Sequence, residues 1–260
     1  MESPLLNPGA TTLYVTSKEE AGSASYYRKV QQVLKSNPCL QIVSIDDMQY
    51  LIEQGNIVCH VPLHKGIVLI NNPYANSPNT FVLANDAAIT IRQAKYHKIL
   101  QIAGLLGASS YRISESSGYE YNRKLNSDLS VSTSRWGKTN LRLNRDNNFV
   151  QKVGIDIQGK CAGVGRISSD SYNEALSLAR RTGLDSDPQI SLLLISRCPD
   201  KENLQTQYRY HFCLTQEVNQ SLDAAYSLNA LSIFDFNANL QETIKKRTDI
   251  TVDVNFEFPE

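Results

Sequence analysis

Leu125-Asn126-Ser127-Asp128-Leu129-Ser130-Val131-Ser132-Thr133-Ser134-Arg135 is the run whose reading decides the fold. Leu125, Leu129, Val131 and Thr133 take odd positions, while Asn126, Asp128, Ser130, Ser132 and Ser134 take even ones. Successive side chains of a strand point to opposite faces, so this spacing predicts a strand with one apolar and one wet face. The alternation resumes after Trp136-Gly137-Lys138, with Leu141 and Leu143 against Asn140, Arg142 and Asn144. Arg145-Asp146-Asn147-Asn148 reads as a turn, because Asn and Asp tolerate left-handed backbone and bond their own neighbours. Phe149, Val153, Ile155 and Ile157 then continue the pattern toward Lys160. Links this short predict antiparallel hairpins across Tyr111–Lys160, since parallel pairing needs a crossover of a dozen or more residues.

Working outward from this stretch, the upstream neighbour is a helix. Asp86 is its expected cap, Gly107 lies just past its end, and Ile91, Ala94, Ile99, Ile102, Ala103 and Leu106 form one stripe. Arg92, Lys95 and Lys98 fall on another face, expected to be solvated, or else to meet phosphates, anionic lipid or a partner. Further upstream, Thr11–Thr16 reads as a strand. A helix follows from a Ser17 cap to about Lys35, stopped by Asn37-Pro38, and Leu40–Ile45 is a second strand. This β-α-β unit is the one part that looks parallel. A helix from about Asp46 to Gly55, strands at Ile57–Val61 and Ile67–Ile70, and a loop over Asn71–Asn79 complete the N-terminal part.

Downstream comes Gly159-Lys160-Cys161-Ala162-Gly163-Val164-Gly165, then a helix from about Asp170 to Thr182. Ile190–Ile195 is a continuous apolar run and reads as a buried strand. Asn203–Gln216 and the closing Ile250, Val252, Val254, Phe256 and Phe258 alternate as strands, with helix near Asn219–Leu231 between them. The fold class is therefore α+β: a mainly antiparallel twisted sheet with amphipathic hairpins, several helices, and an N-terminal β-α-β unit. With no repeat and no low-complexity linker, one domain over 1–260 is expected, with an N-terminal lobe at 11–80 as the alternative.

The chain has 260 residues, 26 Lys plus Arg and 26 Asp plus Glu. A balanced charge gives no global drive toward nucleic acid. Five cysteines at irregular spacing, without CxxC, read as reduced thiols in a cytoplasmic protein. Met1–Ala10 lacks the pattern of a secretory signal, and no apolar run approaches the 18 or so residues of a membrane helix.

Candidate chemistry is sparse. Lys160, Gly163, Gly165 and Ser168 lie between strand and helix, where free N–H groups can hold an anion, but the spacing is only part of a dinucleotide fingerprint. Cys59, His60 and His64 are too few for a metal site, and neither metal nor cofactor is expected. Asp46 and Asp47 stand at a strand end, as catalytic Asp often does, and equally as helix-capping residues do. No catalytic residue is assigned.

Three functional classes remain. The first is a non-catalytic interaction or effector protein, using a sheet face or the basic helix toward a protein partner or its own copies. The second is a soluble pre-pore that inserts hairpins after a trigger, with Leu129, Val131, Trp136, Leu141 and Leu143 toward lipid. It shares the size and hairpin pattern of gasdermin-like pore formers, although no motif carries membership. The third is an enzyme or nucleotide-binding protein using Asp46, Asp47 or the glycine loop.

Overall fold

The computed structural model describes residues 6–24, 27–117, 156–201, 204–213, 227 and 250–260. It is α+β and divides into two compact units, Met1–His97 with Gln216–Arg247, and Lys98–Thr215 with Thr248–Glu260.

The first unit is built on strands β1 (Thr12–Thr16), β2 (Leu40–Ser44), β3 (Val58–Cys59), β4 (Ile67–Asn71) and β5 (Thr80–Leu83), in the order β2-β1-β4-β5-β3. β1 is buried at every position, which its Thr-Leu-Tyr-Val-Thr composition suits. It pairs parallel with β2 and antiparallel with β4. The crossover between β1 and β2 holds α1 (Lys18–Ala24) and α2 (Arg28–Ser36), so the expected β-α-β unit is present. The single helix read over 17–35 is instead two, because Tyr27 is extended at φ −84° and ψ 107°. Ser17 Oγ accepts from the Glu20 N–H, as its capping role requires. Leu13, Val15, Val43, Met48, Leu51, Leu69 and Phe81 form the core between sheet and helix α3 (Ile45–Glu53). β5 is not evident in the sequence: four residues run straight into the next helix without a turn signal.

That helix, α4 (Ala84–Leu105), begins in the first unit and ends in the second. Its apolar stripe is buried at Ile91, Ile99, Ile102, Ala103 and Leu106. The reading of its basic face needs correction. Arg92, Lys95 and Lys98 are 3%, 6% and 7% exposed, so this face is not solvated. Stems this long pack among apolar side chains, and the buried heads need polar or aromatic partners to offset their lost hydration. The Lys95 ammonium lies 5.4 Å from the centre of the Tyr74 ring, and Lys98 donates to Gln101 at 3.3 Å.

The second unit holds β6 (Ser110–Ser117), β7 (Asp156–Lys160), β8 (Gln207–Cys213) and β9 (Ile250–Glu257) in one antiparallel sheet, ordered β7-β6-β9-β8. Among the described residues it also holds α5 (Ser169–Arg181) and α6 (Pro188–Ser196), joined through a short turn at Leu184–Ser186. The C-terminal strand is not an edge: it lies at the centre, between β6 and β8. α6 corrects the expected strand at Ile190–Ile195. A short apolar run suits either state, and the decision falls to its flank. The Asp187 carboxylate accepts from the Gln189 N–H at 2.9 Å and Pro188 takes the first turn, which is the preferred start of a helix. Ile190, Leu193 and Leu194 are then buried, while Leu192 and Ile195 are exposed. α5 is capped by Ser168 rather than Asp170.

Candidate functional site

The four-stranded sheet of the second unit sorts its side chains as a period of two demands. Ile113, Val252, Val254, Phe256, Tyr208 and Tyr210 are buried on one face. The Tyr208 hydroxyl donates to the Gln189 carbonyl of α6 at 2.6 Å. Burial, with the Asp187 carboxylate nearby, pushes its pKa up to about 12. A hydroxyl that the fold holds neutral contributes stability below its unfolded pKa near 10 and loses it as pH rises toward the folded value. We expect the thermal midpoint of this unit to fall between pH 10 and about 12, and Tyr208→Phe to make that fall shallower in a pH series of melts. A fall just as steep in Tyr208→Phe counts against this origin.

The other face is polar and stands in rows. Lys160, Ser110, Glu257 and Gln207 make the first, and Gln158, Arg112, Asn255 and Arg209 the second. Asp156, Ser114, Asp253 and His211 make the third. Ser110 Oγ donates to Glu257 at 2.7 Å, Arg209 donates to Asn255 at 2.6 Å, and Arg112 donates to both oxygens of Asp156 at 3.4 and 3.2 Å. His211 pairs with Asp253. A concavity of about 850 Å³ opens on this sheet, lined by Arg112, Gln158, Lys160, Arg209, Asn255 and their neighbours.

The two ends of the sheet differ. At one end, the described part of β6 runs to Ser117 and that of the adjacent β7 begins at Asp156. At the same end, the described part of β8 runs to Cys213 and that of its neighbour β9 begins at Ile250. Ser117 stands opposite Ile250, so both departures are side by side. The segments 118–155 and 214–249 connect β6 to β7 and β8 to β9. Leu129, Val131, Trp136, Leu141 and Leu143 belong to the first and lie outside the described residues. Of the helix expected in the second, Ser227 is described and is helical.

The opposite end is gathered on Arg197, which is 0% exposed and is the largest fully buried side chain among the described residues. Its Nε donates to the Leu106 carbonyl at 3.2 Å and Nη1 to that of Gln205 at 3.2 Å. Nη2 reaches Val164 at 3.3 Å and Gly165 at 2.6 Å, and the guanidinium lies 4.4 Å from the centre of the Phe258 ring. These partners precede β6, follow β7, precede β8 and follow β9, so one side chain ties the root of every strand. Loss of hydration pulls its pKa below the ordinary arginine value. Sequence reasoning missed this residue. Its one signal is a lone arginine closing the apolar run Ile190–Ile195.

The glycine loop serves the same root. Lys160 is exposed at the end of β7, and Ser168 caps α5 by accepting from Ser171 N–H at 3.1 Å. The N–H groups of Gly163 and Val164 are donated to Cys161 and Gly107. The carbonyls of Val164 and Gly165 face the Arg197 cation. Elsewhere, Asp47 is held in the cap of α3: its N–H donates to Ser44 Oγ at 3.1 Å, and that hydroxyl donates to its carboxylate at 2.7 Å. Cys59, His60 and His64 do not come together as ligands, and no group of three His, Cys, Asp or Glu fit for a metal occurs among the described residues. No described helix is long and apolar enough to cross a membrane.

No protein-family model, curated protein or solved structure matches the chain.

Proposed function

We propose that this protein is a non-catalytic effector acting through its second sheet, as a pre-pore whose two paired-strand excursions extend into a membrane. The observation that carries the reading is the shared exit: two segments leave one end of one antiparallel sheet, each joining adjacent strands. The β6–β7 and β8–β9 pairings, carried on through 118–155 and 214–249, would make two hairpins in register with the sheet already present. The residues supplied suit that growth. Alternation runs through 125–157 as described above. Between β8 and β9, Leu222, Leu228, Phe234, Phe236 and Leu240 take even positions, with Asp223, Asn229, Asp235 and Asn237 at odd ones, a pattern interrupted at Leu231 and Ile233. Spanning takes about 9–11 residues per tilted strand, so each segment holds two spans with residues to spare. Only closed or fully paired strands satisfy the backbone in lipid, which makes extension of an existing ladder the cheapest route. The polar rows of the sheet would then continue into the water-facing wall, and Arg197 would hold the root while the other end rearranges.

The test is dye release from anionic liposomes, before and after a light protease cut. Release in either condition is the expected result, and it should be lost when Leu141 and Leu143 are both replaced by Asp. An absence of release from intact and cut protein, on both anionic and neutral vesicles, ends this reading. The concave wet face favours a second one, a static sheet that binds a polar partner around Arg112, Arg209 and Asn255. In that case Arg209→Ala abolishes capture of the partner and leaves liposomes irrelevant.

A further inference from the structure

We infer that the second sheet joins copies of this chain edge to edge, with β7 of one copy pairing antiparallel with β8 of the next. The order β7-β6-β9-β8 has four strands that alternate in direction, so β7 and β8 point opposite ways. A second copy placed with its β7 against β8 therefore continues the antiparallel alternation and keeps both wet faces on one side. An odd number of strands would not allow this. Among the described residues β7 pairs with β6 alone and β8 with β9 alone, which leaves a ladder of backbone groups open at each edge. Such edges are templates for another strand unless blocked by proline, bulges or inward charge, and neither Asp156–Lys160 nor Gln207–Cys213 contains a proline.

The charges choose the register. Only slips of two residues keep the wet face in place. In the unslipped register the three rows carry straight across: Gln207 meets Lys160, Arg209 meets Gln158, and His211 meets Asp156 of the next copy. His211 would then stand between Asp253 and Asp156, and no like charges oppose each other in any row. A slip one way sets Lys160 against Arg209, a like-charge pair that a cross-strand position penalises. A slip the other way pairs Asp156 with Arg209 but leaves only two outward pairs among the described residues of the two strands. The contact is head to tail, so it propagates around a ring or along an open array rather than stopping at a dimer. Five residues of strand are a small interface beside the roughly 1,600 Å² of a stable complex, so assembly is expected at high local concentration rather than in dilute solution.

This extends the insertion reading without requiring it, and cysteine trapping separates the two. Arg209→Cys protein is mixed in turn with Gln158→Cys, Asp156→Cys and Lys160→Cys protein on anionic liposomes, with and without the protease cut. Oxidised products are assigned by peptide mass spectrometry, so that bonds to native cysteines are distinguished. A disulfide needs Cβ atoms about 4 Å apart, and a two-residue slip separates them by about 7 Å, so the 158–209 bond should form at least roughly tenfold faster than the other two. Equal rates, a faster 156–209 or 160–209 bond, or no bond overturns the inference. Trapping without dye release would sink membrane insertion alone, and dye release without trapping would sink edge pairing alone.

Discussion

Arg197→Met is expected to unfold the second unit or to lower its melting temperature by well over 10 °C, a loss on the order of 4 kcal/mol. The methionine fills much of the space but donates nothing. It strands the carbonyls of Leu106, Gln205, Val164 and Gly165, each now served by the guanidinium at 2.6–3.3 Å. Removing one side of a buried hydrogen bond costs the desolvation of the orphaned group, about 1–3 kcal/mol each, softened where water can enter. Domain stabilities of about 5–15 kcal/mol leave little room for such a loss. Arg197→Lys should fall between, because an ammonium keeps the charge but cannot span four acceptors arranged around a planar fork. Arg112→Met is the control. It breaks the Arg112–Asp156 pair, whose side chains are 56% and 54% exposed, and should cost less than about 1 kcal/mol. Urea melts followed by circular dichroism decide it. Equal, small effects at 112 and 197 would mean that the buried guanidinium does not hold the root.

The second large effect is expected at Gly107, in opposition to Gly104 three residues earlier. Gly107 has φ +87°, and a Cβ there would lie 2.2 Å from the Val164 carbonyl oxygen. The obstacle is backbone that already accepts from Arg197, so it cannot yield without loosening the same network. Gly107→Ala should cost about 2–4 kcal/mol, the sum of left-handed strain and the displaced loop. Gly104 lies inside α4 at an exposed position, with nothing within 4 Å of a Cβ. Gly104→Ala should therefore stabilise by up to about 1 kcal/mol, because alanine loses less backbone freedom in a helix. Opposite signs in paired melts are the expected result. Stabilisation at both positions would contradict the geometry at the end of α4.

What the sequence by itself determined is what period and punctuation can carry. The strand period of Ile250–Glu257 held because its alternating Val252, Val254 and Phe256 are buried, and a half-buried strand has only one way to place them. The β-α-β start, the Ser17 cap and the left-handed Gly107 at a helix end were legible for similar reasons: each is a local requirement met by a local residue type. Where local signals tie, position in the fold decided. Ile190–Ile195 is apolar enough for strand or helix, and only the Asp187-Pro188 flank separates them. Arg92, Lys95 and Lys98 read as a wet face because cations prefer water, yet all three are buried, with the Lys95 head over the Tyr74 ring and the Lys98 head on Gln101.

Tertiary structure alone decided the site. Nothing in the order of residues says that Ser117 stands beside Ile250, since well over 100 residues separate them and pairing depends on register, not on composition. The same holds for Arg197: its role comes from four carbonyls drawn from three distant segments and a ring near the C-terminal end of β9, which converge only when the sheet closes. Side-chain period is a property of neighbours along the chain, whereas a common exit and a common root are properties of strands brought together by folding.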